Sequence, residues 1–291
     1  MSKPYFDKVC IVGVGLIGGS LAIELKGKGM AGTVVGVGRG KDNLETAVKR
    51  GIIDSYTHHL DEGVIDCDLV VIAVPVLATA AAVNKASSNL KKGCIVTDVG
   101  SVKKSVIETV EPVIPEGVHF VPAHPIAGTE HSGAEHAFAG LYENRRCIIT
   151  PTDNTDNEAL GKITEMWKLV GSEVIIMDAE EHDIILAGIS HLPHVVAYTL
   201  VNTIAKMEDK TKKDIIKYSA GGFKDFTRIA SSSPEMWKDI CEANKDAILK
   251  SIETFSRTLS SLEASIVEGN WELVRKAFME AKNSRDSLQK D

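Results

Sequence analysis

KVCIVGVGLIGGS, Lys8–Ser20, is a β-branched run that breaks into glycines and resumes with helical periodicity in SLAIELKGKG. Gly13, Gly15 and Gly18 stand at GxGxxG spacing. A glycine trio alone is a weak signal, but one that follows a strand and opens a helix has a physical meaning. Gly13 permits a tight turn, Gly15 lets a pyrophosphate approach the backbone, and Gly18 lets helix and strand pack closely, with helix N–H groups facing the phosphates. The three glycines, with Leu16 and Ile17 at the helix start, are candidate dinucleotide contacts. The alternative is a glycine-rich turn with no ligand.

Further along, the apolar runs TVVGV, DLVVIAV, GCIVTDV, GVHFVPA, RCIITP and SEVIIM occur, with helical stretches such as SVKKSVIETVEP separating the first four strand candidates. Runs of this kind suit a parallel sheet covered on both faces. They predict a doubly wound, Rossmann-like α/β domain with a mostly parallel sheet over residues 1–177. The texture changes at MDAEEHD, where Asp178 and Glu181 suit a helix N-cap. From 178 to 291 only helical patterns occur, including a start at Ser233–Pro234 and two long amphipathic helices broken near Gly269. Such a half has a small core of its own, so it is expected to pack on the first domain or on a second copy, making a homodimer.

The 291 residues carry 33 Lys and Arg against 40 Asp and Glu, a net charge of −7, which argues against nucleic acid as a partner. The five cysteines are widely spaced, without a CxxC pair, as in a reduced cytoplasmic protein; no spacing suggests a metal site. The most apolar window, Leu69–Val83, is short and contains Pro75, so it reads as strand, turn and helix rather than a membrane span.

The second strand ends in VVGVGRGK, with Gly38 where a ribose-binding acid would stand, then Arg39 and Lys41. That tilts the cofactor from NAD toward NADP, with Arg39 against a 2′-phosphate or on the adenine. Three loops are expected at the carboxyl ends of the strands: AVP with Val74, DVGSVKK with Ser101, and AHPIAGTEHSGAEHAF, Ala123–Phe138, with His124. The last keeps no apolar period and is broken by Pro125 and Gly128, so it reads as irregular. Ser101 and His124 are thereby expected to converge beside a nicotinamide, with Val74 close to it.

GVGLIGGS, TDVGSVK, HPIAGTE, SHLPH and GGFKDFTRIA, in this order, resemble the TyrA family of prephenate and arogenate dehydrogenases over nearly the whole chain. The resemblance implies NAD(P)-dependent oxidative decarboxylation of a cyclohexadiene acid in tyrosine biosynthesis, prephenate being expected over arogenate. By the same resemblance His124 is the base, Ser101 orients it or the substrate hydroxyl, and Thr129, Glu130 and Gly222 line the substrate site. Arg228 would hold a carboxylate and His194 the substrate side chain. Other readings stay open: Arg228 in an ion pair with Asp225 on its own helix, His191 and His194 as core residues, another β-hydroxyacid dehydrogenase, or a non-catalytic NAD(P) sensor. No segment for a fused mutase or regulatory domain is expected, so tyrosine inhibition, if present, would act near the active site.

Overall fold

The computed structural model describes residues 4–207 and 221–287. By compactness the chain divides into Met1–Lys245 and Asp246–Asp291. The first unit opens with β1 (Phe6–Val12), α1 (Leu16–Gly27), β2 (Ala31–Val37), α2 (Lys41–Lys49), β3 (Ser55–Thr57) and α3 (Leu60–Gly63). It continues with β4 (Leu69–Ile72), α4 (Thr79–Ala86), β5 (Ile95–Asp98), α5 (Lys104–Val110), β6 (His119–Val121), β7 (Ala123–Pro125), β8 (Arg146–Ile149), α6 (Asn157–Leu169) and β9 (Glu173–Ile176).

The first six strands form one parallel sheet in the order β3-β2-β1-β4-β5-β6. The order reverses between β1 and β4, so a crevice opens beyond their carboxyl ends. Those ends touch: Gly13 has φ +95°, and a Cβ on it would overlap the Ala73 carbonyl and crowd Val74. A Cβ on Gly18 would overlap the Gly13 carbonyl and meet Ile11. Val9, Ile11, Leu21, Leu25, Val34, Leu69 and Val71 build the core beneath, with Tyr142 edge-on to Trp167.

The seven apolar runs do not share a sheet. GVHFVPA breaks at Pro122, which has no N–H to continue the ladder. Its middle is β6, in the large sheet, and its last residue, Ala123, opens β7, which pairs antiparallel with β8. With β9 parallel to β8 they make a second, three-stranded sheet. His124 therefore lies on a strand, correcting the irregular reading of Ala123–Phe138, which also holds a 3₁₀ turn at Ala134–His136. The short β3 has too little apolar pattern to be found in the sequence.

Beyond β9 all regular structure among the described residues is helical. Asp178 caps the next helix, accepting N–H bonds from Glu180 and Glu181 at 2.7 and 3.1 Å. That helix runs as α7 (Ala179–Leu186), a π turn (Ala187–His191) and α8 (Leu192–Ala205). Pro193 explains the π turn, because it cannot donate to the carbonyl of Ile189 and its ring needs room there. By length and composition this helix could cross a membrane, but it buries His182, Asp183 and His191 in the first unit. Then come α9 (Gly221–Thr227), a 3₁₀ turn (Arg228–Ser231) and α10 (Pro234–Ala243), which Ser233 caps through the Met236 N–H. The second unit consists of most of α11 (Lys245–Val267) and of α12 (Trp271–Ser287).

Gly18→Ala forces a methyl into the α1–β1 contact and should cost about 1–3 kcal/mol. A lower urea midpoint with unchanged slope is expected; an unchanged midpoint would contradict the packing described.

Candidate active site

Beyond the carboxyl ends of β4 and β5 the buried His124 is held from one side by a chain of polar groups. Its Nδ1 lies 2.9 Å from His182 Nε2, and His182 Nδ1 lies 2.7 Å from Asp183 Oδ1. The Asp183 carboxylate also accepts the backbone N–H groups of Lys103 and Lys104, at 2.8 and 3.0 Å, where α5 begins. The partial positive end of a helix favours an ionised carboxylate there. Because a carboxylate only accepts, His182 carries its proton on Nδ1 and offers its Nε2 lone pair. That lone pair takes the Nδ1 proton of His124, leaving His124 Nε2 bare. Burial, then His182, Lys103 and His191, hold the His124 pKa well below the ordinary histidine range. His124 is thus a neutral base with its free lone pair selected by its neighbours.

The position of His124 along the chain is set by a second buried group. Lys103 and Asp98 form an ion pair with both side chains fully buried. The Lys103 ammonium also donates to the Ala123 carbonyl at 2.8 Å, while Asp98 accepts from Gly100 N at 2.8 Å and Ala123 N at 3.3 Å. One buried pair therefore fixes both backbone groups of the residue preceding His124. Removing either partner of such a pair costs about 3–5 kcal/mol, because the other charge is left buried.

Ser101, His124, Thr129, Glu130, His194 and Arg228 all line one cavity of about 660 Å³, a size suited to a small metabolite. Gly222 does not line it and lies exposed on α9. Arg228 donates to Glu130 Oε2 at 3.1 Å rather than to Asp225, and both partners of this ion pair line the cavity. His194 stacks on Trp237, centroids 3.7 Å apart, and its Nδ1–H donates to the Ser190 carbonyl at 2.9 Å. His131 and His136 stack on each other outside the cavity lining.

The glycine loop suits a dinucleotide. Gly15 is the N-cap of α1, has no side-chain cap, and a Cβ there would meet nothing within 4 Å, so open space lies against the start of the helix. Leu16 is buried in the core and Ile17 is half-buried beside it. Gly38 comes directly after β2, and its carbonyl accepts from His58 Nδ1 at 2.8 Å. Arg39 is exposed and has no ion-pair partner among the described residues.

Three contributors were absent from the sequence reading: His182 with Asp183, Lys103, and Trp237. For the first pair a signal existed. His182, Asp183, Leu186 and Ala187 fall on the inward side of one helix, so two polar residues occupy apolar positions of the period.

Comparison with known proteins adds independent information. The family model described as prephenate dehydrogenase, nucleotide-binding domain, matches residues 21–176, and that described as prephenate dehydrogenase, dimerization domain, matches 178–280. The cyclohexadienyl dehydrogenase of Zymomonas mobilis is 36% identical, over 98% of this chain and 97% of its own length. The prephenate dehydrogenase of Bacillus subtilis is 35% identical, over 97% of this chain and 76% of its own. The crystal structure of Aquifex aeolicus prephenate dehydrogenase, in complex with hydroxyphenyl propionate and NAD⁺, superposes with a TM-score of 0.91 at 38% identity, covering 99% of both chains.

Asp183→Asn exchanges one accepting oxygen for an NH2 group, so the Lys103 and Lys104 N–H groups and the His182 Nδ1–H can no longer all find an acceptor. Turnover should fall about a hundredfold, the scale of acid–base catalysis, with cofactor affinity retained; a loss below threefold would dismiss the relay. In the intact protein the lowered His124 pKa keeps the base neutral as the medium is acidified. The acid limb of kcat/KM should accordingly lie below pH 6.5, and a limb above it would contradict the geometry.

Proposed function

Because the chain belongs to the prephenate dehydrogenase family, we propose that it catalyses the NAD(P)-dependent oxidative decarboxylation of prephenate to 4-hydroxyphenylpyruvate in tyrosine biosynthesis. The observation that carries this reading is the Asp183–His182–His124 chain ending in a bare Nε2 in the same cavity as Arg228. NAD(P), bound along the glycine loop, supplies the hydride acceptor. His124 Nε2 takes the proton of the ring hydroxyl as hydride leaves the carbon that bears it, and the His182–Asp183 pair stabilises the resulting imidazolium. The bond to the ring carboxylate breaks, carbon dioxide departs, and the electron pair completes the aromatic ring. Ser101 orients the hydroxyl or the imidazole, while Thr129 and Glu130 shape the wall. Arg228 binds a substrate carboxylate, which takes over from Glu130 in a planar, charge-assisted contact.

The cofactor preference is argued from charge. No carboxylate stands at Gly38 to repel a 2′-phosphate, and the exposed Arg39 is free to meet one, which supports NADP over NAD. Initial rates of nicotinamide reduction at 340 nm, with prephenate or arogenate against NAD⁺ or NADP⁺, test substrate and cofactor together. Prephenate with NADP⁺ should be fastest; four flat traces from folded protein would reject the activity, and a faster NAD⁺ reaction would reject the role of Arg39.

Residues 178–291 act as the substrate and dimerisation region. Phe255, Leu259, Ile266, Trp271 and Phe278 lie exposed along α11 and α12, an apolar surface more fitting for a second copy than for water. Light scattering should give twice the chain mass, and the double variant Phe255→Glu, Leu259→Glu should reduce it to one. A wild-type monomer at micromolar concentration would refute the pairing.

A further inference from the structure

Five buried side-chain nitrogen or oxygen atoms lack a hydrogen-bond partner among the described residues. Two of them, His191 Nε2 and Trp237 Nε1, belong to residues that line the cavity around His124. The tautomer of His191 is set by its neighbour. Asn244 Nδ2 donates to the Asp183 backbone carbonyl at 2.8 Å, which only the nitrogen end of the amide can do. The same Nδ2 lies 3.2 Å from His191 Nδ1, so its second hydrogen goes there. Nδ1 is then an unprotonated acceptor, and the ring proton sits on Nε2.

Burial, opposed by the nearby Asp183, pushes the His191 pKa down to about 4, so the ring is neutral across the working range. The result is a fixed, uncharged N–H donor with no acceptor among the described residues, and a buried donor left unpaired is costly. His194, one turn on, has the opposite polarity, because its Nδ1–H is used by Ser190 and its Nε2 is a lone pair.

We propose that His191 contacts the substrate directly, its Nε2–H donating to the uncharged keto oxygen of an α-keto acid side chain, with Asn244 as the positioning residue that sets the tautomer. The proposal rests on the prephenate reading above. A charged carboxylate finds its match in the Arg228 guanidinium, whereas a neutral buried N–H suits a neutral carbonyl. An amino acid in the same place would bring its ammonium hydrogens against the His191 hydrogen. His191 thereby selects a keto acid over the corresponding amino acid partly by repulsion.

Two ligands that differ in that oxygen isolate the contact: 4-hydroxyphenylpyruvate and 3-(4-hydroxyphenyl)propionate, each measured as a competitive inhibitor. The wild type should bind the keto acid about tenfold more tightly, the scale of one hydrogen bond. In His191→Leu the ratio should fall to near one with propionate binding unchanged. In His191→Gln, whose amide nitrogen reaches the same place, part of the ratio should return. An unchanged ratio in His191→Leu, or equal weakening of both ligands, overturns the contact. Prephenate turnover by the wild type is measured alongside. Normal turnover with an unchanged ratio removes only the role of His191, whereas absent turnover removes the functional reading and this one with it.

Discussion

A single carboxylate, that of Asp183, does three things at once. It receives the N–H groups that open α5, it fixes the proton of His182, and through His182 it leaves the lone pair of His124 facing the cavity. Each of these uses an accepting oxygen, and the start of a helix favours a carboxylate there without a cationic side chain. The residue sits on α7, whereas His124 and α5 belong to the sheet region. The carboxylate therefore aligns the two halves of the candidate site through short hydrogen bonds rather than through apolar packing, which is less directional.

The other constraint is buried deeper. Lys103 and Asp98 neutralise each other at the end of β5 and fix both backbone groups of Ala123. Pro122 ends one strand and the next residue begins another in a different sheet, so the turn between them has few ladder bonds of its own. A charged pair replaces them, at a desolvation cost repaid only because the remaining donors and acceptors of both groups are used.

Much of the frame was legible in the sequence because its signals are local. The glycine trio, the strand runs and the caps at Asp178 and Ser233 each depend on a few neighbouring residues. Ser101, His124, Thr129, Glu130, His194 and Arg228, singled out from motifs far apart in the chain, line one cavity. The features that the sequence concealed depend on contacts between residues far apart in the chain. Nothing near His124 announces a partner at His182, and Lys103 reads as one more surface lysine until Asp98 is found beside it. The strand at Ala123–Pro125 was missed because its pairing partner lies beyond a loop, and Gly222 was assigned to a wall that it does not line.

The π turn at Ala187–His191 amounts to one residue more than an α-helix of the same length would hold. Each residue of an α-helix turns the chain by about 100°, so the surplus residue sets the phase of α8 relative to α7. His182 and Asp183 lie on the α7 side of the turn and His194 on the α8 side, yet all three serve the same site. Winding the same five residues as regular α-helix would add to their total rotation and turn α8 away from its present phase. His182 and Asp183 would keep their contacts, and His194 with its Trp237 stack would swing away from them. The wide turn absorbs one residue without changing the aim of the helix beyond it, so both faces of Ala179–Ala205 meet at one cavity.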